Sequence, residues 1–294
     1  MKVRIGISLG GAGGPAGFAD AVDLLEETGV DSLWLSEMVY GSLVEPFTGM
    51  AYALSRTARL KVGTGVAVLP GRHPVLVAKQ LASLAGLAPA RVLPVFGLQP
   101  ARANERPLFP VPPGQRGAVF DESLLLLRLL LRQQTVSFRG EFFDVEGASV
   151  GPLPSKPLDI WLGGSAPGAL RRIGRLGDGW LGSLMTPDEA LAGRLAIEEF
   201  AADAGREIEP DHFGISLAVA LDGIPPELIA SIRQRRPDAE PGALVAAGWR
   251  DARRMVERYV AAGITKFVIR PATPPSSFGE FLDGFVRELM PLQT

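Results

Sequence analysis

The chain has 294 residues, of which 47% are hydrophobic, and this length suits either two ordinary domains or one barrel-sized domain. Its formal net charge of −2 gives no electrostatic case for binding nucleic acid. The lack of cysteine excludes disulfides, thiolate metal sites and a cysteine nucleophile. With only two histidines, a multi-histidine zinc site is not expected either.

The N-terminus and one leucine-rich stretch are the two segments that raise the question of a membrane. The apolar run after Lys2 and Arg4 is short and ends in a glycine-rich loop at 10–15, so it predicts a first strand rather than a signal peptide. The stretch 124–131 is interrupted by Arg128 and is far shorter than the roughly 20 residues that span a bilayer. We therefore expect a cytoplasmic protein without membrane association, with 124–131 as an outer helix and a candidate dimer interface.

Short β-branched or apolar runs alternate with longer helical patterns along the chain. The runs predict strands, and the longer segments predict helices because their apolar residues recur at nearly helical spacing. Gly29 is a typical C-terminal stop for the first helix. The predicted strands are 3–9, 31–36, 60–68, 91–96, 158–162, 179–183, 213–221 and 266–270; the predicted helices are 16–28, 46–57, 74–87, 117–133, 167–176, 187–204 and 276–290, with further helices within 225–262.

About eight strand-helix units predict an α/β fold, a (β/α)8 TIM barrel that residues 1–294 form as one domain. Residues 97–116, after strand 4, are too rich in Pro and Arg for a regular element, and a second insertion follows strand 7. Residues 136–150 alternate in polarity around Arg139-Gly140, which predicts a hairpin or extended arm before strand 5. An open doubly wound sheet is the structural alternative, but neither a dinucleotide fingerprint nor a break in composition supports it.

The C-terminal ends of the strands are where a barrel of this type places its chemistry. Here those ends are rich in glycine and apolar residues, without the paired carboxylates of a glycosidase or the His/Asp clusters of a metallohydrolase. They suit a planar organic cofactor that supplies the difficult chemistry itself. The ends are 8–10, 36–38, 68–73, 96–99, 163–165, 183–185, 220–222 and 270–271.

A series of motifs lies between residues 1 and 184: LKVGTGV at 60–66, RHPVLVAKQ at 72–80, RGAVFDE at 116–122, IWLGGS at 160–165 and GRLGDGW at 174–180. Together they resemble the luciferase-like monooxygenase superfamily, and within it the branch of oxidoreductases that depend on the deazaflavin coenzyme F420. The resemblance implies a luciferase-like barrel that binds reduced F420 or flavin. It also implies hydride transfer, or oxygen activation, at the cofactor ring.

The resemblance implies that the loop after the fifth strand presents backbone N–H groups to the cofactor phosphate. By motif this role falls to Gly163, Gly164 and Ser165. Glycines let the backbone approach an anion, and the N-terminus of the following helix adds favourable partial charge. From the residues alone, a tight strand-to-helix turn with Ser165 near an N-cap stays open as the alternative.

Four further residues join the cofactor-binding prediction. The family often has a non-prolyl cis peptide beneath the cofactor ring, and the matching bond is Gly65-Val66, with a trans bond in a core strand as the alternative. Gly97 ends the fourth strand, and Glu37, at the end of the second strand, retains a carboxylate that can accept a hydrogen bond from the cofactor.

The second and fourth strands also depart from the family pattern. Where many relatives have Asp-His, this chain has Glu37-Met38, and Met38 cannot donate a proton. Residues 98–100 read Leu-Gln-Pro where sugar-phosphate dehydrogenases of the family have Thr-Gly-Glu, so their acid–base mechanism is not expected. Glu37 and His73 are the catalytic candidates that remain, with a structural hydrogen bond before Pro74 as the alternative use of His73.

Other charged residues have less specific interpretations. His212 precedes its strand and therefore points to the non-catalytic end of the barrel. Arg72, Arg102 and Arg106 are candidates to attract an anionic cofactor tail or substrate, but in an arginine-rich chain most arginines are solvated surface charges.

Three functional hypotheses follow from these residues and this resemblance. The first is hydride transfer between coenzyme F420 and an unknown, apolar small-molecule substrate. The second is a two-component monooxygenase that uses reduced FMN and oxygen. The third is a cofactor-binding barrel with degenerate catalytic residues. Candidate protein partners are a second copy of the chain and a flavin or F420 reductase that supplies reduced cofactor; no metal is expected.

Overall fold

The computed structural model describes residues 2–10 and 13–294; Gly11 and Ala12 of the predicted glycine-rich loop, like Met1, lie outside the described residues. The strands are β1 (Arg4–Ser8), β2 (Ser32–Leu35), β3 (Lys61–Thr64), β4 (Ala67–Val68), β5 (Val92–Leu93), β6 (Val95–Gly97), β7 (Val136–Arg139), β8 (Asp144–Ala148), β9 (Trp161–Gly163), β10 (Gly179–Ser183), β11 (Phe213–Ala220), β12 (Val245–Ala247) and β13 (Lys266–Pro271). The helices are α1 (Phe18–Thr28), α2 (Pro46–Arg56), α3 (Pro74–Leu87), α4 (Arg116–Leu130), α5 (Pro167–Leu176), α6 (Pro187–Asp203), α7 (Pro226–Arg235), α8 (Pro241–Leu244), α9 (Trp249–Ala261) and α10 (Phe278–Glu288).

Parallel strand pairing closes the sheet into a barrel. The strand β1 pairs with both β2 and β13, and the series continues through β11, β10, β9 and β6. On the other side β2 pairs with β3. The third barrel strand consists of β3 and β4 and the fourth of β5 and β6; β3 pairs with β5 and β4 with β6, which completes the ring. The predicted TIM barrel is confirmed.

The third and fourth barrel strands are each divided in two. The predicted strand 60–68 is interrupted at Gly65-Val66, whose peptide bond is cis, as the family resemblance implies. The predicted strand 91–96 is interrupted at Pro94, which has no N–H to donate to a neighbouring strand.

Trp34 fills the middle of the barrel. Its side chain is 2% exposed, and its indole Nε1 donates a hydrogen bond of 2.9 Å to Ser32 Oγ. Neighbouring strands make room with glycines: a Cβ at Gly6 would lie 2.6 Å from Trp34 Nε1, and one at Gly63 would lie 3.0 Å from Trp34 Cζ3. At this level the indole ring fits against the two glycines and packs with the buried side chains of Val95, Leu181 and Val268.

Three segments outside the barrel differ in how well the sequence predicts them. The hairpin predicted within 136–150 is present as the antiparallel pair β7–β8. After β6 the chain forms a 3-10 segment, Ala103–Leu108, within the predicted irregular stretch. The helices predicted within 225–262 are present as α7, α8 and α9, and between them lies a strand that the sequence did not predict, β12, which pairs in parallel with β11. At three residues, β12 is too short to produce a strand pattern.

The helix α4 contains the leucine-rich stretch and packs on the outside of the barrel. Leu124, Leu126 and Leu127 are fully buried, whereas Leu125 is 45% exposed. Across residues 2–10 and 13–294, none of the helices combines the length and apolar character that crossing a membrane requires.

An ionic cluster lies at the N-terminal end of the barrel. Asp31 accepts hydrogen bonds from Lys61 Nζ at 2.9 Å and from the buried Lys266. Burial alone would raise the pKa of Asp31, but the two lysines outweigh it and lower that pKa to about 2. His212 lies at this same end, where its ring contacts Trp161. This end therefore contributes stability rather than chemistry.

Candidate active site

Two adjacent cavities lie at the C-terminal ends of the barrel strands. The smaller has a volume of about 240 Å³, and its lining includes Gly65, Val66 and Leu181. The larger has a volume of about 670 Å³ and is lined in part by Trp34 and Leu43. Both cavities share the same boundary residues: Ser36, Met38, Ala101, Arg235 and Arg270.

Two glycines make room for Val66 at the floor of the smaller cavity. A Cβ at Gly97 would lie 2.6 Å from Val66 Cγ2, and a Cβ at Gly163 would lie 2.9 Å from Val66 Cγ1. The Ser36 hydroxyl donates to the Gly65 carbonyl at 3.1 Å. This bond fixes the position of Gly65, the residue before Val66. Gly97 and Gly163 thus shape the floor from behind, whereas Gly65 and Val66 line it.

The loop after β9 leaves its backbone open to an anion. Gly164 has φ +122°, and a Cβ there would lie 2.9 Å from Ala169 Cβ. Its carbonyl accepts a bond of 2.8 Å from Trp180 Nε1. The next residues are exposed, and among the described residues none caps α5 with a side chain at its N-terminal residue Ala166. Pro167 has no N–H and the Ala169 N–H donates to the Ala166 carbonyl at 2.8 Å, so Gly168 is the residue of the first turn whose N–H this bonding leaves available. This part of the loop suits a phosphate.

Ser165 faces a third cavity, of about 430 Å³, beside the loop. Two carboxylates line it, and both bind Arg236: Glu189 at 2.5 Å and Asp238 at 2.8 Å. Arg236 also donates to the carbonyl of Leu184, a non-glycine residue with φ +52° that lines the smaller cavity. These bonds raise the pKa of Arg236, since they favour the charged guanidinium. Arg236 therefore fixes the segment that separates this cavity from the smaller one.

Glu37 is buried and fully engaged by neighbouring groups. One carboxylate oxygen accepts the Val68 N–H at 2.7 Å and Arg72 Nη1 at 2.8 Å, and the other accepts Arg72 Nη2. Arg72 also donates to the Val68 carbonyl. Glu37 borders the smaller cavity, but both its carboxylate oxygens are used in bonds to Val68 and Arg72. These bonds link the end of β2 to the residues around β4. Arg72 is correspondingly committed to Glu37 rather than free to attract an anion.

His73 caps the helix α3. Its Nδ1 accepts the Val75 N–H at 3.3 Å, and its ring lies edge-on to Phe143 with centroids 5.5 Å apart. The side chain lines neither cavity at the strand ends. This geometry matches the structural alternative for His73 rather than a catalytic one.

The sequence reasoning did not identify Arg235 and Arg270 as site residues. Arg270 lies in β13 and Arg235 at the end of α7, and both line both cavities. In the sequence, Arg270 differs from other arginines only in its position at the end of the eighth predicted strand. In an arginine-rich chain this position is a weak indication of a site residue. Other polar side chains of the two linings are hydroxyls and one amide: Ser8, Ser36, Ser42, Ser183, Ser216, Ser231, Thr273 and Gln99.

Sequence relatives include both uncharacterized proteins and named enzymes. An uncharacterized protein of Mycobacterium tuberculosis is 35% identical over 182 residues, which cover 62% of this chain and 62% of the relative, less than two thirds of its length. An F420-dependent glucose-6-phosphate dehydrogenase of Kineococcus radiotolerans is 25% identical over 316 aligned positions, which cover 95% of this chain and 93% of the relative.

Solved structures show the same fold at low sequence identity. An F420-dependent secondary alcohol dehydrogenase in complex with an F420-acetone adduct has a TM-score of 0.81 at 18% identity, with complete coverage of both chains. The oxygenating constituent of 3,6-diketocamphane monooxygenase from Pseudomonas putida, in complex with FMN, has a TM-score of 0.78 at 15% identity over 100% of this chain and 99% of that one.

The family assignment rests on most of the chain. The luciferase-like monooxygenase model matches residues 2–264, which include the barrel strands as far as β11 and the loop after β9. The cis bond at Gly65-Val66 and the closed parallel barrel agree with that match. The chain belongs to the luciferase-like monooxygenase family.

Proposed function

We propose that this protein is an oxidoreductase that transfers hydride between coenzyme F420 and a small organic molecule. The observation that carries the proposal is the smaller cavity at the strand ends, with the Gly65-Val66 step as its floor and the glycine loop after β9 nearby. The F420-dependent names of the sequence relative from Kineococcus radiotolerans and of the alcohol dehydrogenase neighbour support the choice of cofactor.

The chain's residues fit such a cofactor. A side chain at Gly164 would meet Ala169, so only a glycine leaves the backbone of this loop accessible at that point. The backbone N–H groups of Gly163, Gly164 and Ser165 would hold the phosphate, and Gly65 and Val66 would support the ring. When bound, F420 supplies the ring carbon that accepts or donates the hydride.

The rest of the cavity binds and orients rather than transferring protons. Leu181, Leu184 and Val66 exclude water from the floor and wall. Among the described residues that line the smaller cavity there is no histidine, and its one carboxylate, Glu37, is held by Arg72. The hydroxyls of Ser183 and Ser216 are weak acids, so we propose that turnover requires little acid–base help from the protein.

A monooxygenase that uses reduced FMN is the second candidate. Met38 favours it, because the family position that supplies a proton in many F420-dependent relatives is here a thioether that lines both cavities. The FMN complex of the monooxygenase neighbour shows that this fold accommodates a flavin in that protein.

Titration of the protein with F420 and with FMN separates these candidates. The buried Trp180 bonds the Gly164 carbonyl, so its fluorescence should respond to a phosphate in the loop. We expect micromolar binding of F420 and much weaker binding of FMN. The reverse order would favour the monooxygenase, and binding of neither would contradict both. Trp249→Phe, on α9, is the control that should retain the response, whereas Trp180→Phe should lose it.

A further inference from the structure

Arg270 places a guanidinium at the active-site end of the barrel without a counter-ion among the described residues. It is half-buried, and within the described part of the chain its side chain has no carboxylate partner and no hydrogen-bond acceptor. Burial, and then the nearby charge of Arg235, lower the pKa of Arg270 below its usual value. A desolvated charge without a partner is costly, and structures retain one mainly where a ligand supplies the opposite charge.

Arg235 brings a second positive charge to the same cavities. It too has no carboxylate partner among residues 2–10 and 13–294, and it is exposed. The next residue, Arg236, shows the contrast, because Glu189 and Asp238 both bind it. Two neighbouring guanidinium groups that face one cavity repel each other unless an anion lies between them.

Besides Arg235 and Arg270, the larger cavity is lined by apolar side chains and by hydroxyl groups, and none of the described residues lining it is acidic. Arg102 also lines it, but its guanidinium donates to the Tyr40 carbonyl and lies 3.7 Å from the buried carboxylate of Glu105, so its charge is already paired. The apolar part of the lining includes Leu9, Trp34, Leu43 and Val44. A ligand that satisfies both parts carries one anionic group on an apolar body.

We propose that Arg270 and Arg235 bind a carboxylate or phosphate group of the substrate, whose apolar body lies along Trp34, Leu43 and Val44. This inference rests on the proposed function and names the substrate class of the same site. It adds a charged group to the apolar substrate that the sequence predicts. The arginine fork suits either anion, since both present two oxygens to it.

Matched ligands that differ only in charge test the proposal. Octanoate and octyl phosphate carry the anion, and octanamide keeps the apolar chain without it. Isothermal titration of the F420-saturated protein should show octanoate or octyl phosphate binding at least tenfold more tightly than octanamide. The anion that binds more tightly identifies whether the substrate carries a carboxylate or a phosphate. Equal binding of all three ligands would overturn the proposal.

Variants assign the effect to the two arginines. Arg270→Met should weaken anion binding at least tenfold without changing the affinity for octanamide, and Arg235→Gln should weaken it in the same direction. Arg270→Lys keeps a positive charge and should restore part of the affinity. Arg233→Gln removes an exposed arginine of the same helix that lines neither cavity, so it should have no effect. Anion binding that survives Arg270→Met would overturn the proposal.

The F420 affinity of the same variants separates this inference from the proposed function. An unchanged F420 affinity in Arg270→Met, with anion binding lost, supports a substrate site. A tenfold loss of F420 affinity without loss of octanoate binding would instead assign the arginines to the cofactor tail and overturn the inference. If F420 does not bind the wild-type protein, the proposed function fails, and the octanoate titration of the protein alone still decides whether the anion site exists.

Discussion

The carboxylate of Glu37 and the guanidinium of Arg72 form a two-pronged ion pair at the active-site end of the barrel, 2% and 24% exposed respectively. The pair connects the residue after β2 with the loop after β4, and the Val68 N–H adds a third bond to the same carboxylate. It lies beside the Gly65-Val66 step, so it fixes the backbone that flanks the proposed cofactor ring.

Replacement of Glu37 by glutamine should therefore affect stability. Glu37→Gln leaves the Arg72 charge half-buried without a carboxylate, and we expect a loss of about 3 kcal/mol in the free energy of unfolding. The exposed pair of Arg56 and Asp23 is the control, and Asp23→Asn should cost much less because solvent screens an exposed ion pair. Urea unfolding measures both. A variant with unchanged stability but no turnover would show that Glu37 acts directly in catalysis.

His73→Ala should remove the N-cap of α3 without impairing the chemistry. Loss of a capping acceptor costs about 1 kcal/mol, and Asn at the same position should restore most of it because its side chain caps well. Thermal unfolding and the turnover rate with F420 are the measurements. If His73→Ala folds normally but loses its activity, capping of α3 does not explain the role of His73, and a direct role in turnover is indicated.

The glycines of the loop after β9 provide the sharpest test of the cofactor site. Gly163→Ala would push Val66 toward the cavity, and Gly164→Ala would place a Cβ against Ala169 at a strained φ. We expect at least a tenfold loss of F420 affinity in each, measured by fluorescence titration. Gly168→Ala, where a Cβ meets nothing within 4 Å, is the matched control and should retain full affinity.

Stability should depend on pH through Asp31 at the opposite end of the barrel. Burial opposes ionisation of this carboxyl, but Lys266 and Lys61 overcome it, so its pKa falls from 3.8 to about 2. Because the pKa is lower in the folded state, the stabilisation is complete above about pH 4 and disappears as the pH falls toward 2. Its size is about 2 kcal/mol.

Urea unfolding between about pH 2 and pH 5 measures this contribution. Asp31→Asn should flatten the pH dependence of unfolding in that window and lower stability at neutral pH, since Lys266 stays buried without its partner. Asp222→Asn, an exposed residue, is the control and should follow the wild-type curve. A steep acid transition that persists in Asp31→Asn would assign it to other carboxyl groups.

The barrel could be predicted from the sequence because each strand and helix carries its own pattern. The spacing of apolar residues reports local structure, and eight repeats of one unit leave few alternative folds. The cis bond at Gly65-Val66 came from the family resemblance, since a backbone isomer leaves no trace in composition. The division at Pro94 was readable in principle, because proline interrupts strand pairing.

The arrangement of the site was harder to predict, because its contacts join residues far apart in the chain. Glu37 and Arg72 are 35 positions apart, and their pairing depends on two strand ends meeting at one edge of the barrel. Gly97 and Gly163 could be recognised in the sequence as candidate cofactor residues. Their packing against Val66 depends on how three strands meet, which the sequence does not show. The same holds for Arg270, which differs from other arginines only in what surrounds it.

Trp34 also borders a cavity at the N-terminal end of the barrel, of about 220 Å³, as well as the larger cavity at the C-terminal end. Its indole ring, packed with Val95, Leu181 and Val268, is thus part of a thin layer between two spaces at opposite ends of the barrel. The glycines at positions 6 and 63 have no side chains with which to thicken this layer. A smaller residue in place of Trp34 would leave a void in the layer and bring the two spaces closer together.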